Sequence, residues 1–351
     1  MHKSPSHPID FVIPWVDGDD PAWRKLRSEY EQPNTHANDT GMRIVDARDE
    51  RYCDWGTLRY VLRSIDRFAP WVRTVHLITQ GHLPSWLNVE HPKLNIVRHE
   101  DYMPARYLPT FATNAIELNL HRIEALAEHF VYFNDDMVLL RDMVPGDFFM
   151  HGLPRYVASL EPTRVNPKTW FYMPVTNASI VSKHFSKHRC VARHPLKWFN
   201  PRYPRASLKN VFLIPFKNFV GFDELHLPDP YLKSTLREIW DREPALLEQA
   251  SMHRFRVNTD PNIWLVQDWQ MATGRFSPGN ERIGKAFFVY NEHDAREAAA
   301  YVRSQKGKLT CLNDHLSDGD DADPVLCRAI VMDALNDILP ERSAYELLGA
   351  D

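Results

Sequence analysis

The sequence predicts an α/β chain built on a mostly parallel sheet, followed by a largely helical and irregular portion. Three observations carry this reading. Strand-like and helix-like apolar patterns alternate through the first 140 residues, the signature of a parallel sheet with crossover helices. Residues 130–133 form an apolar run of the kind buried on both faces, followed by Asn134, Asp135 and Asp136 and then a second apolar run from Met137. From about residue 154 prolines and aromatics become frequent and strand alternation weakens.

Each element has its own signal. Residues 9–15 are a short apolar strand that runs into the turn Asp17-Gly18-Asp19-Asp20-Pro21. Residues 32–51 are polar and read as a loop. Leu58, Val61, Leu62, Ile65 and Phe68 recur at helical spacing, which predicts an amphipathic helix over 55–68 ended by Pro70. Strands follow over 72–79 and 94–99. A second helix is expected over 114–130, with Ile116, Leu120, Ile123 and Leu126 inward. Helices are also expected over 230–248, 294–304 and 325–338, with an acidic loop at 314–324. A working division is 1–153, 154–307 and 308–351, the last segment completing one unit with the others.

The chain has 351 residues, 44% of them hydrophobic, so a large buried core is expected and global disorder is not. The formal net charge of −4 argues against a nucleic-acid protein held by bulk charge. No apolar h-region precedes the first strand, and no apolar run reaches the ~20 residues that span a bilayer. The expected location is the cytoplasm, or the inner membrane face as a peripheral protein. Cys53, Cys190, Cys311 and Cys327 are scattered and read as reduced structural thiols. Residues 196–219 carry Lys197, Arg202, Arg205, Lys209 and Lys217 with no acidic residue, interleaved with Trp198, Phe199, Tyr203, Phe212, Phe216 and Phe219. That segment reads either as a surface for a polyanionic glycan or anionic lipid headgroups, or as a loop with its aromatics packed inward.

Asp135 and Asp136 are the sharpest chemical signal. Ligands of α/β sheets bind outside the carboxyl ends of strands. Two carboxylates there suit a hard cation such as Mg²⁺, which takes one or two carboxylates with substrate phosphates. The alternative is an acidic turn or helix cap.

Four separated blocks resemble one family. They are IDFVIPWVDGDDPAW at 9–23; the stretch 55–140, with LRYVLRSI, APWVRTVHLIT, LPTFATNAIELNLHRI and FVYFNDDM; HRCVARHPLKWF at 188–199; and KLTCLNDHLSD at 308–318. HRFRVNTD at 253–260 resembles a further family segment. In this order they resemble the Stealth family of sugar-1-phosphate transferases, which includes bacterial capsular polysaccharide phosphotransferases and the lysosomal-enzyme GlcNAc-1-phosphotransferase. One departure is Ile13-Pro14 before Trp15; Pro14 lacks a ladder donor, so the strand either lies at an edge or stops there.

The resemblance implies a GT-A-like, Rossmann-type fold, a divalent metal (Mg²⁺ or Mn²⁺), a UDP-sugar donor and a glycan acceptor. Asp135 and Asp136 would hold the metal. Arg59 and Arg63, one turn apart, would face phosphate, or else form a solvated stripe with Arg67. Glu117 would be catalytic, with Asn114 and His121 beside it in the substrate site; alternatively Asn114 and Glu117 make a capping box. His194 is the expected general base, with His188 behind it. Arg256 would neutralise phosphoryl charge, or else pair with Asp260. Asn313 and Asp314 would close the pocket, or form a plain turn. Trp15, Asp17 and Gly18 would meet the nucleotide, although Trp15 also suits a core position.

Overall fold

The computed structural model describes residues 7–31, 45–46, 52, 54–163, 172–316 and 323–349. The expected loop at 32–51 and acidic loop at 314–324 lie largely outside them. Eight strands position the site: β1 (Ile9–Pro14), β2 (Val75–Thr79), β3 (Leu94–Arg98), β4 (His129–Tyr132), β5 (Met137–Leu139), β6 (Asp229–Leu232), β7 (Gly284–Val289) and β8 (Leu309–Asp314).

The main sheet runs β3-β2-β1-β4-β6. Its first four strands are parallel and β6 is an antiparallel edge. This is the α/β, mostly parallel arrangement expected. Pro14 resolves its two options: β1 is central, and Pro14 is its last residue, so the strand stops there. β2 and β3 lie to one side of β1 and β4 to the other, so the order reverses between β1 and β4. The crevice outside the carboxyl ends at such a reversal is where open α/β sheets bind ligands. Trp15 to Gly18 leave β1 at that point, and Asn134 to Asp136 leave β4. A second sheet, β7-β8-β5, was not legible as strands in the sequence; β7 and β8 are parallel and β8 is antiparallel to β5.

Burial explains these elements. Phe11, Val12, Ile13, Val75, Leu77, Ile78, Phe130, Val131 and Phe133 are essentially inaccessible, as a sheet covered on both faces requires. One core cluster joins β1 and the Thr57–Phe68 helix to β7, β8 and the helices Glu292–Ser304 and Pro324–Ile338. Asp10 on β1 is buried but satisfied: it accepts from Arg73 Nε at 2.7 Å and the Ala127 amide at 2.8 Å, and lies 3.0 Å from His76 Nε2. Cys190, Cys311 and Cys327 are buried and free.

Two helix expectations are corrected. The segment expected as helix 114–130 is helical only over Thr113–Leu118, then makes a 3₁₀ turn at Leu120–Arg122 and joins β4. Asn119 ends it, since its side chain turns back to the Ala115 carbonyl at 2.8 Å and reaches Ser251 Oγ at 2.9 Å. The segment expected as helix 230–248 begins as strand β6 and then forms Lys233–Arg242 and Pro244–Met252, broken where Pro244 opens the second helix.

The expected phosphate-facing arginines are also corrected. Arg63 makes a bidentate pair with Glu346, Nε to Oε1 at 2.7 Å and Nη2 to Oε2 at 2.9 Å, and Nη1 donates to the Leu339 carbonyl at 3.0 Å. Arg59 lies 3.6 Å from the same carboxylate and over the Trp86 ring, and Arg67 donates to the Ile338 carbonyl at 2.9 Å. The stripe therefore docks the carboxyl-terminal segment onto the Thr57–Phe68 helix. Breaking a buried pair strands a charge. Arg63→Ala is expected to lose ~3–5 kcal/mol in urea unfolding, whereas Arg59→Ala, at the more exposed and longer contact, loses ~0–1 kcal/mol. Equal effects would mean that the buried fork is not what holds this segment.

Candidate active site

The site is built from the chain leaving β1, β4 and β8. After β1, Trp15 donates its indole N–H to Asp54 Oδ2 at 3.1 Å, and the Gly56 amide, just before the Thr57–Phe68 helix, donates to Asp54 Oδ1 at 2.6 Å. The Asp17 amide donates to His82 Nε2 at 2.9 Å, and the Asp17 carboxylate accepts from the Asp19 amide. Gly18 is packed against the Tyr52 backbone, where a Cβ would collide. After β8, Asp314 accepts from the Trp55 indole at 2.8 Å and from the Leu316 amide at 2.9 Å. Neighbouring tryptophans thus hold carboxylates at one rim.

After β4 the chain turns through Asn134, Asp135 and Asp136 into β5. The Leu312 amide donates to the Asp136 carbonyl at 3.0 Å, tying this turn to β8. The carboxylates of Asp54, Asp135, Asp136 and Asp314 lie within electrostatic reach of one another in sequence: Asp54 with Asp135, Asp135 with Asp136, and Asp136 with Asp314. Burial, then the charges of Asp136 and Asp54, raise the Asp135 carboxyl far above the usual carboxylate range. Burial raises Asp136 to about 6, opposed by a hydrogen bond with the Cys311 thiol. Burial also raises Asp54. Asp136 Oδ1 is buried without a hydrogen-bond partner. The contrast with Asp10, which has three partners, is sharp: these carboxylates are left under-neutralised, as a cation-binding pair must be. No three His, Cys, Asp or Glu side chains among the described residues enclose an ion by themselves. A pair such as Asp135 and Asp136 nevertheless fits a Mg²⁺ ion that takes its other ligands from phosphate and water.

Glu117 comes to the same place from the Thr113–Leu118 helix. It is buried, accepts from Tyr132 Oη at 2.7 Å and from the Ile263 amide at 3.2 Å, and is within electrostatic reach of Arg256. Burial raises its carboxyl. The capping-box alternative is not formed, because the helix begins at Thr113 after Ala112, with no side-chain cap. Tyr132 is the last residue of β4 and also feels the Asp135 charge, which joins Glu117 and Arg256 to the carboxylate turn. Arg256 does not pair with Asp260; His253 Nδ1 takes that carboxylate at 2.7 Å.

Two expected residues fall elsewhere, while Asn114 lies one turn before Glu117 on the same helix. Asn114 is buried, with its amide nitrogen 3.8 Å from Met173 Sδ. The shortened helix turns His121 away from Glu117 and against Trp240, where burial and Arg122 depress its pKa to about 3. His194 lies between Lys187–Arg193 and Pro195–Trp198, packed on Gly274, the C-cap of the Trp264–Thr273 helix. Ile263, which touches Glu117, is the residue preceding that helix. At 1.5 Å per residue the two ends are ~16 Å apart, so His194 sits at the opposite end of this helix from the amide that bonds Glu117. His188 is exposed, its Nε2 2.8 Å from the Ile214 carbonyl.

Besides His82, a histidine that reaches the site is His226, which the sequence reading missed. Its Nε2 is 2.9 Å from Asn313 Nδ2, and its ring packs edge-on against Trp264 with centroids 5.6 Å apart. Asn313 and Cys311 share one face of β8, so a chain of contacts runs His226, Asn313, Cys311, Asp136. His226 has φ 51°, a left-handed conformation rare outside glycine and held by its surroundings. In the sequence only its setting between Glu224 and the prolines 228 and 230 marks a fixed turn.

Two family regions match this chain: Stealth protein CR1, conserved region 1, at residues 7–32, and CR2, conserved region 2, at 51–155. These are the segments that carry the β1 and β4 sides of the site. A capsular polysaccharide phosphotransferase WcwK of Streptococcus pneumoniae is 35% identical over 96% of this chain and 98% of its own. The receptor polysaccharide phosphotransferase WefC of Streptococcus oralis is 37% identical over 97% and 99%. The exopolysaccharide phosphotransferase cps2G of Lactiplantibacillus plantarum is 33% identical over 90% and 89%. Among solved structures, the apo bifunctional glycosyltransferase WbbM aligns at 10% identity and a TM-score of 0.36, over 95% of this chain and 50% of that one, too distant a likeness to bear on the fold. With about a third of its residues identical to these relatives over nearly its whole length, the chain belongs to the Stealth family and is a phosphotransferase.

Proposed function

We propose that the protein transfers a hexose-1-phosphate, in the first instance an N-acetylhexosamine-1-phosphate, from a UDP-sugar to a hydroxyl of an acceptor glycan in surface-polysaccharide synthesis, with Mg²⁺ or Mn²⁺ bound. The observation that carries this reading is the under-neutralised pair Asp135 and Asp136 at the strand-order reversal, with Asp136 Oδ1 unpartnered. The family membership and the names of the relatives support the phosphoryl transfer.

Phosphoryl transfer asks a protein for position and charge rather than for covalent chemistry. Asp135 and Asp136 are the residues to hold the cation, which when bound would neutralise the donor pyrophosphate. Trp15, Asp17 and Gly18 line the base and ribose side beyond β1. His226, oriented by Asn313, takes the proton of the acceptor hydroxyl as its oxygen bonds to the β-phosphorus. The bond between that phosphorus and the bridging oxygen breaks, and UMP leaves. Arg256, kept in place beside Glu117, offsets charge on the transferred phosphoryl group, and Asp314 closes the rim through Trp55.

The deciding experiment is the nucleotide product. With UDP-sugars, a divalent cation and short glycan acceptors, UMP is expected; UDP would mean cleavage at the sugar carbon and an ordinary glycosyltransferase. Replacing His226 with Ala is expected to depress turnover by ~10²–10⁴, the scale of a lost general base, while His194→Ala stays near the parent rate; the reverse order would return the role to His194. The carboxylates give a signal independent of activity. Native Asp136 titrates at about 6 against 3.8 unfolded, so the folded state holds the extra proton. Metal-free stability should therefore fall as pH rises through that window. Added Mg²⁺ is expected to raise Tm above pH ~7 and not below pH ~5, and Asp136→Asn should abolish this difference. A metal shift in Tm that survives Asp136→Asn would remove this residue from the cation site.

A further inference from the structure

The basic aromatic segment resolves into two layers. Trp198, Tyr203 and Phe219 are buried, as the inward-packing reading had it. Asn210 pins the Pro204–Leu213 helix from below, its amide donating to the carbonyls of Ala158 at 2.7 Å and Trp198 at 2.8 Å while its oxygen accepts from the Leu160 amide. The opposite face is different. Leu208 is 60% exposed, Val211 54% and Phe212 70%, and Phe216, just beyond the helix, is 54% exposed. Spacing of three and four residues puts Leu208, Val211 and Phe212 on one stripe. Arg205 continues that stripe one turn back, and Arg202 and Lys217 flank it, all three exposed. Lys209 does not belong to this face; it is committed to Glu161 and to Asp223, the latter at 2.8 Å.

We propose that this face is a membrane-docking surface that rests on anionic phospholipid, with Leu208, Val211, Phe212 and Phe216 entering the headgroup boundary and Arg202, Arg205 and Lys217 meeting lipid phosphates. Charge complementarity selects the occupant. Residues 196–219 hold no carboxylate, so a second copy applied symmetrically would set cation against cation. A polyanionic glycan would satisfy the cations but leave four large apolar side chains in water. An anionic bilayer surface satisfies both, in the manner of interfacial helices with Lys and Arg beside aromatic and aliphatic anchors. No described helix is long and apolar enough to cross a membrane, so contact of this kind is with the surface. The face lies near the Gly274 end of the Trp264–Thr273 helix, to which Lys197 is bonded through the carbonyls of Gly274 and Phe276. The other end of that helix, ~16 Å away by helical rise, meets Glu117 of the active site through the Ile263 amide. An acceptor held at a bilayer would then be within a few sugar units of the site.

The test is co-sedimentation of the full chain with vesicles of phosphatidylglycerol and phosphatidylcholine, against phosphatidylcholine alone. Binding to the anionic vesicles is expected. The double variant Leu208→Asp and Phe212→Asp should weaken it by more than ~10-fold, from the lost apolar burial alone. Arg202→Ala with Arg205→Ala should weaken it most at low salt. Transfer to a short soluble acceptor should be unchanged in both variants. The proposal fails if neither vesicle binds the parent chain, or if the Asp variant binds as well as the parent. It also fails if the Asp variant instead loses a concentration-dependent dimer seen without lipid, which would make the face an interface between copies. Dextran sulfate capture that is lost with the arginines but kept in the Asp variant, without vesicle binding, would make it a polyanion groove.

Discussion

One backbone hydrogen bond, from the Leu312 amide to the Asp136 carbonyl, joins the two sheets at the point where the chemistry collects. β4 delivers the acidic turn from the main sheet, β5 carries it into the second sheet, and β8 fixes it from the far side. Without that tie Asp135 and Asp136 would be free to swing into solvent, where their mutual repulsion would relax. With it, they remain close together, half-buried and short of partners. The same strand then supplies Cys311, Asn313 and Asp314, so a single element sets the carboxylate pair, His226 and the rim.

The carboxylates of this protein divide by how they are neutralised. Asp10 is buried and fully bonded, and Glu346 takes both arms of Arg63. Asp135 and Asp136 are half-buried, and no described cationic side chain offsets them. It is the missing compensation that distinguishes a binding site from a structural ion pair, since an uncompensated buried charge is tolerated only where something else supplies the counter-charge.

The parallel sheet and its acidic turn were legible because period and composition are local signals. Phe130 to Phe133 announce a doubly covered strand, and two Asp residues after it announce chemistry whatever their partners. The arginine stripe failed for the opposite reason. Spacing correctly placed Arg59, Arg63 and Arg67 on one helix face, but what lies opposite that face is Glu346, 283 residues beyond Arg63. The surroundings of the histidines were hidden in the same way. His194 sits in a recognisable block but packs at the Gly274 end of the Trp264–Thr273 helix, while His226 arrives through a turn whose unusual backbone no periodicity reveals. β7 and β8 were hidden because charged and small residues interrupt their apolar pattern, and their pairing is decided by the sheet rather than by propensity.

The Trp55 to Asp314 hydrogen bond spans 259 positions. Closing so long a loop is slow relative to forming the local helices and the first parallel strands. A nascent chain that has already assembled β1 to β4 would therefore own half of a nucleotide crevice and none of its rim. Only when β8 has left the ribosome can the acidic turn be clamped and the histidine seated. The assembled site is thus an all-or-nothing property of the folded chain, so incomplete copies carry its parts without its arrangement.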